Sequence, residues 1–261
     1  MSNDIVDGMA ADPAGDVYVS TTHSGGTFAL EKYAAGITGT PTPEASIALN
    51  DPTGVGQVAI DGAGNVYVTL IGSTEVAEFN SSLSTQLATL SGSNTGLSAG
   101  INGSLAADGS GNLYVGTGPG TGGAGAPNTG IAAFAPLAAG SNNVAPTRTL
   151  SAVGFTSEIA VDSADDIFFD AAGRDSVTEY PAGAGTTPQS FSWPGGTNGV
   201  NNGAAYGFAI SHGQLYVSWG GAEAQSNPPT PAWYSFNLAN PNATPVPFMT
   251  NAPVTPLITS Y

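Results

Sequence analysis

Apolar positions along this chain recur as paired short runs. The first run of each pair reads Met9-Ala-Ala-Asp12, Val58-Ala-Ile-Asp61, Leu105-Ala-Ala-Asp108, Ile159-Ala-Val-Asp162 and Phe208-Ala-Ile-Ser211. A few glycine or polar residues later comes the second: Val17-Tyr-Val-Ser20, Val66-Tyr-Val-Thr69, Leu113-Tyr-Val-Gly116, Ile167-Phe-Phe-Asp170 and Leu215-Tyr-Val-Ser218. Short runs of β-branched and aromatic residues bounded by turn residues predict strands. The aromatic at the centre of the second run falls at 18, 67, 114, 168 and 216, a repeat of about 50 residues. No segment keeps the apolar period of about 3.6 residues that a helix needs, so helix content should be near zero.

Each repeat carries two more strands. A third is marked by Tyr33, Phe79, Phe134, Tyr180 and Phe236, and a weaker fourth by Ala45–Leu49, Gln86–Leu90, Thr147–Leu150 and Gln189–Trp193. Between the first two strands stand tight-turn sequences such as Asp61-Gly-Ala-Gly-Asn65, in which the leading Asp can accept from backbone N–H groups ahead of it. Ala recurs second in every first run, at 10, 59, 106, 160 and 209, which suits an innermost strand where neighbours converge. Four short strands per unit of this length predict an all-β β-propeller of five four-stranded blades, in one domain over residues 1–261. Blades should begin near residues 8, 57, 104, 158 and 207. A sixth blade is the alternative count, if Met1–Asp7 and Ala252–Tyr261 form part of one rather than closing the ring. A β-sandwich would not need such regular units, and the coils of a β-helix are shorter.

The pattern Ile-Ala-Val-Asp-x-x-Gly-Asn-Val-Tyr-Val, followed by an aromatic-tipped third strand, resembles the NHL-type repeat of bacterial β-propellers. The resemblance runs from Gly8 to about Asn251. It implies the fold and leaves function open, because that family includes lyases, binders of carbohydrate or protein, and plain scaffolds. Two departures stand out: a long insert in blade 3, Thr117 to Asn128, and Ser211-His212-Gly213 where the last blade should have its turn Asp.

Charge then narrows the options. Three basic residues, Lys32, Arg148 and Arg174, stand against 19 acidic ones, for a net charge of −16. Nucleic-acid binding needs several cations to displace condensed counterions, so it is not expected. An anionic membrane surface would repel the chain, and no apolar run is long enough for membrane insertion. There is no cysteine, hence no disulfide or thiolate metal site. Met1-Ser-Asn-Asp4 carries neither a basic nor an apolar leader region, while the composition fits an extracellular or cell-surface protein whose signal peptide has been removed. A medium acidic enough to protonate carboxylates would bring the net charge near zero.

The candidate chemistry is sparse. In propellers of this kind the loops between strands two and three and between blades crowd one end, and that end usually carries function. Here those loops, or the strand ends beside them, hold His23, Asp170, Arg174, Asp175, Trp193, Trp219 and Glu223, the expected ligand-binding face. No catalytic residue is assigned. The streptogramin-lyase branch that the resemblance brings in uses paired histidines, a glutamate and magnesium; the only histidines here are His23 and His212, with no Glu-x-His pair. Lactonase-type propellers hold calcium on inner-strand ends, whereas Asp12, Asp61, Asp108 and Asp162 read as turn residues. No cofactor is expected unless calcium binds as a loop ligand, for which Asp162-Ser-Ala-Asp165-Asp166 is the best match. Gly96-Leu-Ser98-Ala-Gly100 and Gly118-Pro-Gly120-Thr-Gly-Gly123 mimic catalytic and dinucleotide motifs, but neither opens a helix. The expected function is a non-enzymatic binding or scaffold propeller for a glycan or protein partner. A metal-assisted lyase or hydrolase is the alternative.

Overall fold

The paired runs become the first and second strands, paired antiparallel, of five sheets in a computed structural model of the chain. It describes residues 4–39, 41–97, 101–118, 130–151, 156–171, 176–182, 188–192, 203–221, 232–240, 243–244, 246–250 and 259–260. The chain divides into two compact units, residues 1–155 and 156–260. In the first, blade 1 is β1 (Ile5–Ala11), β2 (Val17–Thr22), β3 (Phe28–Tyr33) and β4 (Ala45–Leu49). Blade 2 is β5 (Val55–Ile60), β6 (Val66–Leu70), β7 (Glu75–Phe79) and β8 (Gln86–Leu90). Blade 3 is β9 (Ile101–Ala107), β10 (Leu113–Thr117) and β11 (Gly130–Phe134), then β13 (Arg148–Ser151) after a short excursion, β12 (Gly140–Asn142).

The second unit holds blade 4, made of β14 (Thr156–Val161), β15 (Ile167–Ala171), β16 (Ser176–Tyr180) and β17 (Gln189–Ser192). Blade 5 is β18 (Gly203–Ser211), β19 (Gln214–Gly221), β20 (Ala232–Asn237) and β21 (Val246–Thr250). The only helical turn among the described residues is Ser93–Thr95. The protein is thus an all-β propeller of five four-stranded blades, as the repeat predicts.

Blade packing explains why the second strands are continuously apolar. Successive side chains of a strand point to opposite faces, and a blade between two neighbours is buried on both. In β6, Val66 and Val68 join a cluster with Tyr18, Leu30 and Leu49 of blade 1, whereas Tyr67 between them joins Leu105, Leu113 and Val115 of blade 3. All five residues of β6 are buried in consequence. In the second unit Phe168, Val177 and Phe191 of blade 4 pack against Phe208, Leu215 and Phe236 of blade 5. There Phe191 and Phe236 meet edge to face at 5.7 Å. Truncating one of these rings to Ala should cost about 3–5 kcal/mol.

The turn aspartates behave as expected. Asp12, Asp61, Asp108 and Asp162 each accept, through Oδ1, from the backbone N–H groups two and four residues ahead, at 2.8–3.0 Å. Blade 5 lacks that Asp because its turn is shorter. Ser211 pairs directly with Gln214, and His212 and Gly213 take φ values of 51° and 71°. Two positive values in a two-residue loop make a type I′ turn, which needs no side-chain cap.

A second repeated device was not legible beforehand. Every first strand bulges once, at the same register: between Val6 and Gly8, Val55 and Val58, Ile101 and Leu105, Thr156 and Glu158, and Ala205 and Gly207. A bulge frees backbone groups from the ladder. The second strand supplies a hydroxyl for them. Ser20 Oγ donates to Gly56 O of blade 2 at 2.6 Å, Thr69 Oγ1 to Gly103 O of blade 3 at 3.0 Å, and Ser218 Oγ to Gly207 O at 3.1 Å. The approach of first strands demands glycine: a Cβ on Gly8 would lie 2.6 Å from Gln57 Cα, and one on Gly56 2.7 Å from Gly103 Cα.

Candidate functional site

Two aspartates shape the loop end of blades 1 and 2. Asp51 precedes β5 in Asp51-Pro-Thr-Gly54, where the chain turns back into the blade. Its Oδ1 accepts from the N–H groups of Thr53, Gly54 and Gly72, at 2.8–3.0 Å. Its Oδ2 accepts from the N–H and hydroxyl of Ser73, at 2.9 and 3.0 Å. One buried carboxylate therefore joins the blade 1–2 connection to the loop between β6 and β7. Burial alone would raise its pKa, but the donors from Gly54, Thr53 and Ser73 outweigh that, and the carboxyl lies below the ordinary value.

Asp4 plays the matching part in blade 1. Its Oδ1 accepts from Ser24 N at 2.9 Å, and its Oδ2 lies 3.4 Å from His23 Nδ1, an ion pair when the imidazole is protonated. The His23 loop is closed on itself by His23 N donating to Thr27 O at 2.8 Å and Gly26 N to His23 O at 3.0 Å. Beside it Thr22 Oγ1 donates to Asp7 Oδ2 at 2.6 Å. His23 is thus held in place by its neighbours, and Asp4, Asp7 and Asp51 are residues that motif reading passed over. The signal for Asp51 was present: Asp-Pro-x-Gly is a turn sequence in which the side chain gathers N–H groups.

Of the other expected face residues, Asp170 lies on β15, paired with Glu158 and Val177, and Trp219 lies on β19, paired with Ala205 and Ala232. Asp170 holds the register that Ser20, Thr69 and Ser218 hold elsewhere, opposite the bulge, and Trp219 follows one position later in its own blade. Arg174, Asp175, Trp193 and Glu223 lie outside the described residues, as do residues 119–129 of the blade 3 insert. His212 stands in the turn between β18 and β19, its Nδ1 2.7 Å from Ser211 Oγ. The turn proposed for calcium, Asp162–Asp166, spends Asp162 Oδ1 on Ala164 N and Asp166 N, and Asp166 Oδ1 on Ala182 N. Among the described residues no three His, Asp or Glu side chains gather as a metal-binding group.

The sheets and their register define a β-propeller, and solved structures agree. A chain from the crystal structure of a Nidogen/Laminin complex superposes with a TM-score of 0.63 at 13% identity, covering 96% of this chain and 81% of that one. A protein of unknown function from Bacteroides caccae gives 0.64 at 14% identity, covering 90% and 79%. A catalytically inactive virginiamycin B lyase from Staphylococcus aureus, with quinupristin, gives 0.58 at 11% identity, covering 97% and 75%. At such identities the likeness is one of fold, shared by proteins of varied function. No protein-family model matches the chain, and no curated protein matches it either.

Proposed function

We propose that this protein is a non-enzymatic, exported binding propeller that presents the loop end of its blades to a protein or glycan partner. The observation that carries the reading is the Asp51 clamp. A loop already fixed by five hydrogen bonds loses little conformational freedom on binding, so more of the contact energy appears as affinity. The face consists of His23, Asp170, Arg174, Asp175, Trp193, Trp219 and Glu223, among which Trp and Arg are the side chains that most often anchor interfaces. A protein is the first partner to test, since a similarly folded chain occurs in a Nidogen/Laminin complex. Calcium is the first cation to test as a loop ligand, because hard cations take oxygen donors.

The purified chain should be applied to an array of extracellular proteins and to a glycan array. Binding should fall about 30-fold or more in Trp219→Ala and Trp193→Ala, at an unchanged melting temperature. Binding that ignores both substitutions moves the face elsewhere, and silence on both arrays overturns the reading. A calcium-specific rise in melting temperature, reversed by a chelator, would add the cation to the site.

A further inference from the structure

One register position of the third strand sets the charge at the turn end of each blade. Opposite the central aromatic of the second strand stand Lys32, Glu78, Ala133, Glu179 and Ser235 in blades 1 to 5. Lys32 has its counter-charge, with Nζ 2.7 Å from Asp16 Oδ2. The two glutamates are more than nine-tenths buried, with 6% and 7% of their surface exposed. Around Glu78 the groups are Tyr67 from β6, Ala88 from β8 and Asp61 from the turn. Around Glu179 they are Phe168 from β15, Gln189 from β17, and Asp162 and Asp166 from the turn.

These surroundings oppose a negative charge. Tyr67 has one hydroxyl hydrogen, which it donates to Asp61 Oδ2 at 2.9 Å, and the relief its hydroxyl also gives Glu78 is the smallest of the influences there. Glu179 faces a phenylalanine, which donates nothing, and two carboxylates. Burial first, then the charge of Asp61, pushes the Glu78 carboxyl above its ordinary pKa against the smaller opposing influence of the Tyr67 hydroxyl; burial, then Asp166 and Asp162, raises Glu179 with nothing opposing among the described residues.

We propose that the burial of Glu78 and Glu179 beside other carboxylates makes the fold a proton-coupled device, which tightens as the medium turns acidic and loosens towards neutrality. Both groups bind their proton more firmly in the folded chain than in the unfolded one. Their contribution to stability is therefore complete below the unfolded value of about 4.5 and is lost as the pH rises through the folded values. The net charge of −16 acts in the same direction over the whole surface, but salt screens it, while buried groups are screened far less.

Thermal melts from pH 4 to 8 in about 1 M NaCl separate the two effects, since the Debye length there is about 3 Å. The melting temperature of the natural chain should climb as the pH falls. Glu78→Gln/Glu179→Gln should melt roughly 2–4 °C higher at pH 8, with no gain at pH 4 and a flatter profile between. A double variant that keeps the natural slope overturns the proposal. Should that variant not fold, a carbon-13 titration of the glutamate carboxyls in the natural chain decides instead. Two of them should titrate above the ordinary range, and none doing so overturns it.

Discussion

Blades 1 and 4 share one turn architecture and differ in the charge that the third strand sets beside it, Lys32 or Glu179. In both, the first Asp of the turn caps its own backbone, and the fifth residue, Asp16 or Asp166, reaches past the third strand to accept from Ala35 N at 3.0 Å or Ala182 N at 2.7 Å. Blade 1 then places Lys32 against Asp16 and over the Tyr18 ring, 5.6 Å from its centroid, while blade 4 places Glu179 near Asp166. One blade thus neutralises its turn with a cation and the other depends on a proton. Lys32 lowers the Asp16 pKa, and Asp16 in turn raises that of Lys32. The depressed Asp16 contributes stability above its unfolded value of about 3.8 and loses it as the pH falls through the folded one; the elevated Lys32 contributes below about 10.5 and loses it as the pH rises through its own. The Asp16–Lys32 pair should therefore be indifferent to pH between about 5 and 9, whereas the Glu179 contribution declines as the pH rises above its unfolded value of about 4.5.

The largest effect expected on this contrast is Lys32→Glu, which gives blade 1 the third-strand charge of blade 4. It strands Asp16 and should cost about 2–3 kcal/mol in urea unfolding at pH 7, with part recovered near pH 4. A cost within the scatter of surface substitutions would mean that the pair is screened and the contrast idle. Glu179→Lys runs the exchange the other way. It should stabilise by about 1 kcal/mol at pH 7 and remove the Glu179 share of the stability lost as the pH rises above about 4.5; destabilisation instead would show that the blades differ in more than charge. Asp165→Gly is the smallest test. Blade 1 has Gly15 at φ 89° where blade 4 has Asp165 at φ 64°, a left-handed conformation that costs a non-glycine residue strain. Asp165→Gly should gain about 0.5–1 kcal/mol, and Asp165→Asn, which removes the charge and keeps a side chain at the left-handed φ, separates backbone strain from charge by gaining less.

Much of the contrast stood outside what the chain could reveal before folding. That Lys32 and Glu179 are equivalent follows from their spacing to Tyr33 and Tyr180, but not that Glu179 is buried. The expected binding face was legible only as loops and strand ends. Its aromatic and charged members could be named, while the carboxylates that hold the loops in place were not: the turn at Asp51 was readable locally, but its grip on Gly72, like that of Asp4 on Ser24, spans about 20 positions. His23 was singled out for its chemistry, and the structure gives it a neighbour, Asp4, that no motif links to it.

The chain by itself determined the repeat, the strand order within each blade, the turn aspartates and the five-blade count. These depend on short-range rules: alternation along a strand, β-branched and aromatic preference, and a side chain that caps its own turn. Tertiary structure decided what happens between strands distant in sequence. It laid β12, within the otherwise plain stretch Ala-Gly140-Ser-Asn142-Asn, in parallel register on β8 of the preceding blade, with Asn142 Nδ2 donating to Ala138 O at 2.7 Å to hold the loop. It also aimed the Ser20 and Thr69 hydroxyls at bulge carbonyls of the next blade, 36 and 34 residues on, and closed water away from Glu78 and Glu179. Hydrogen bonds and burial depend on which surfaces meet, and a local pattern carries no record of its distant partner.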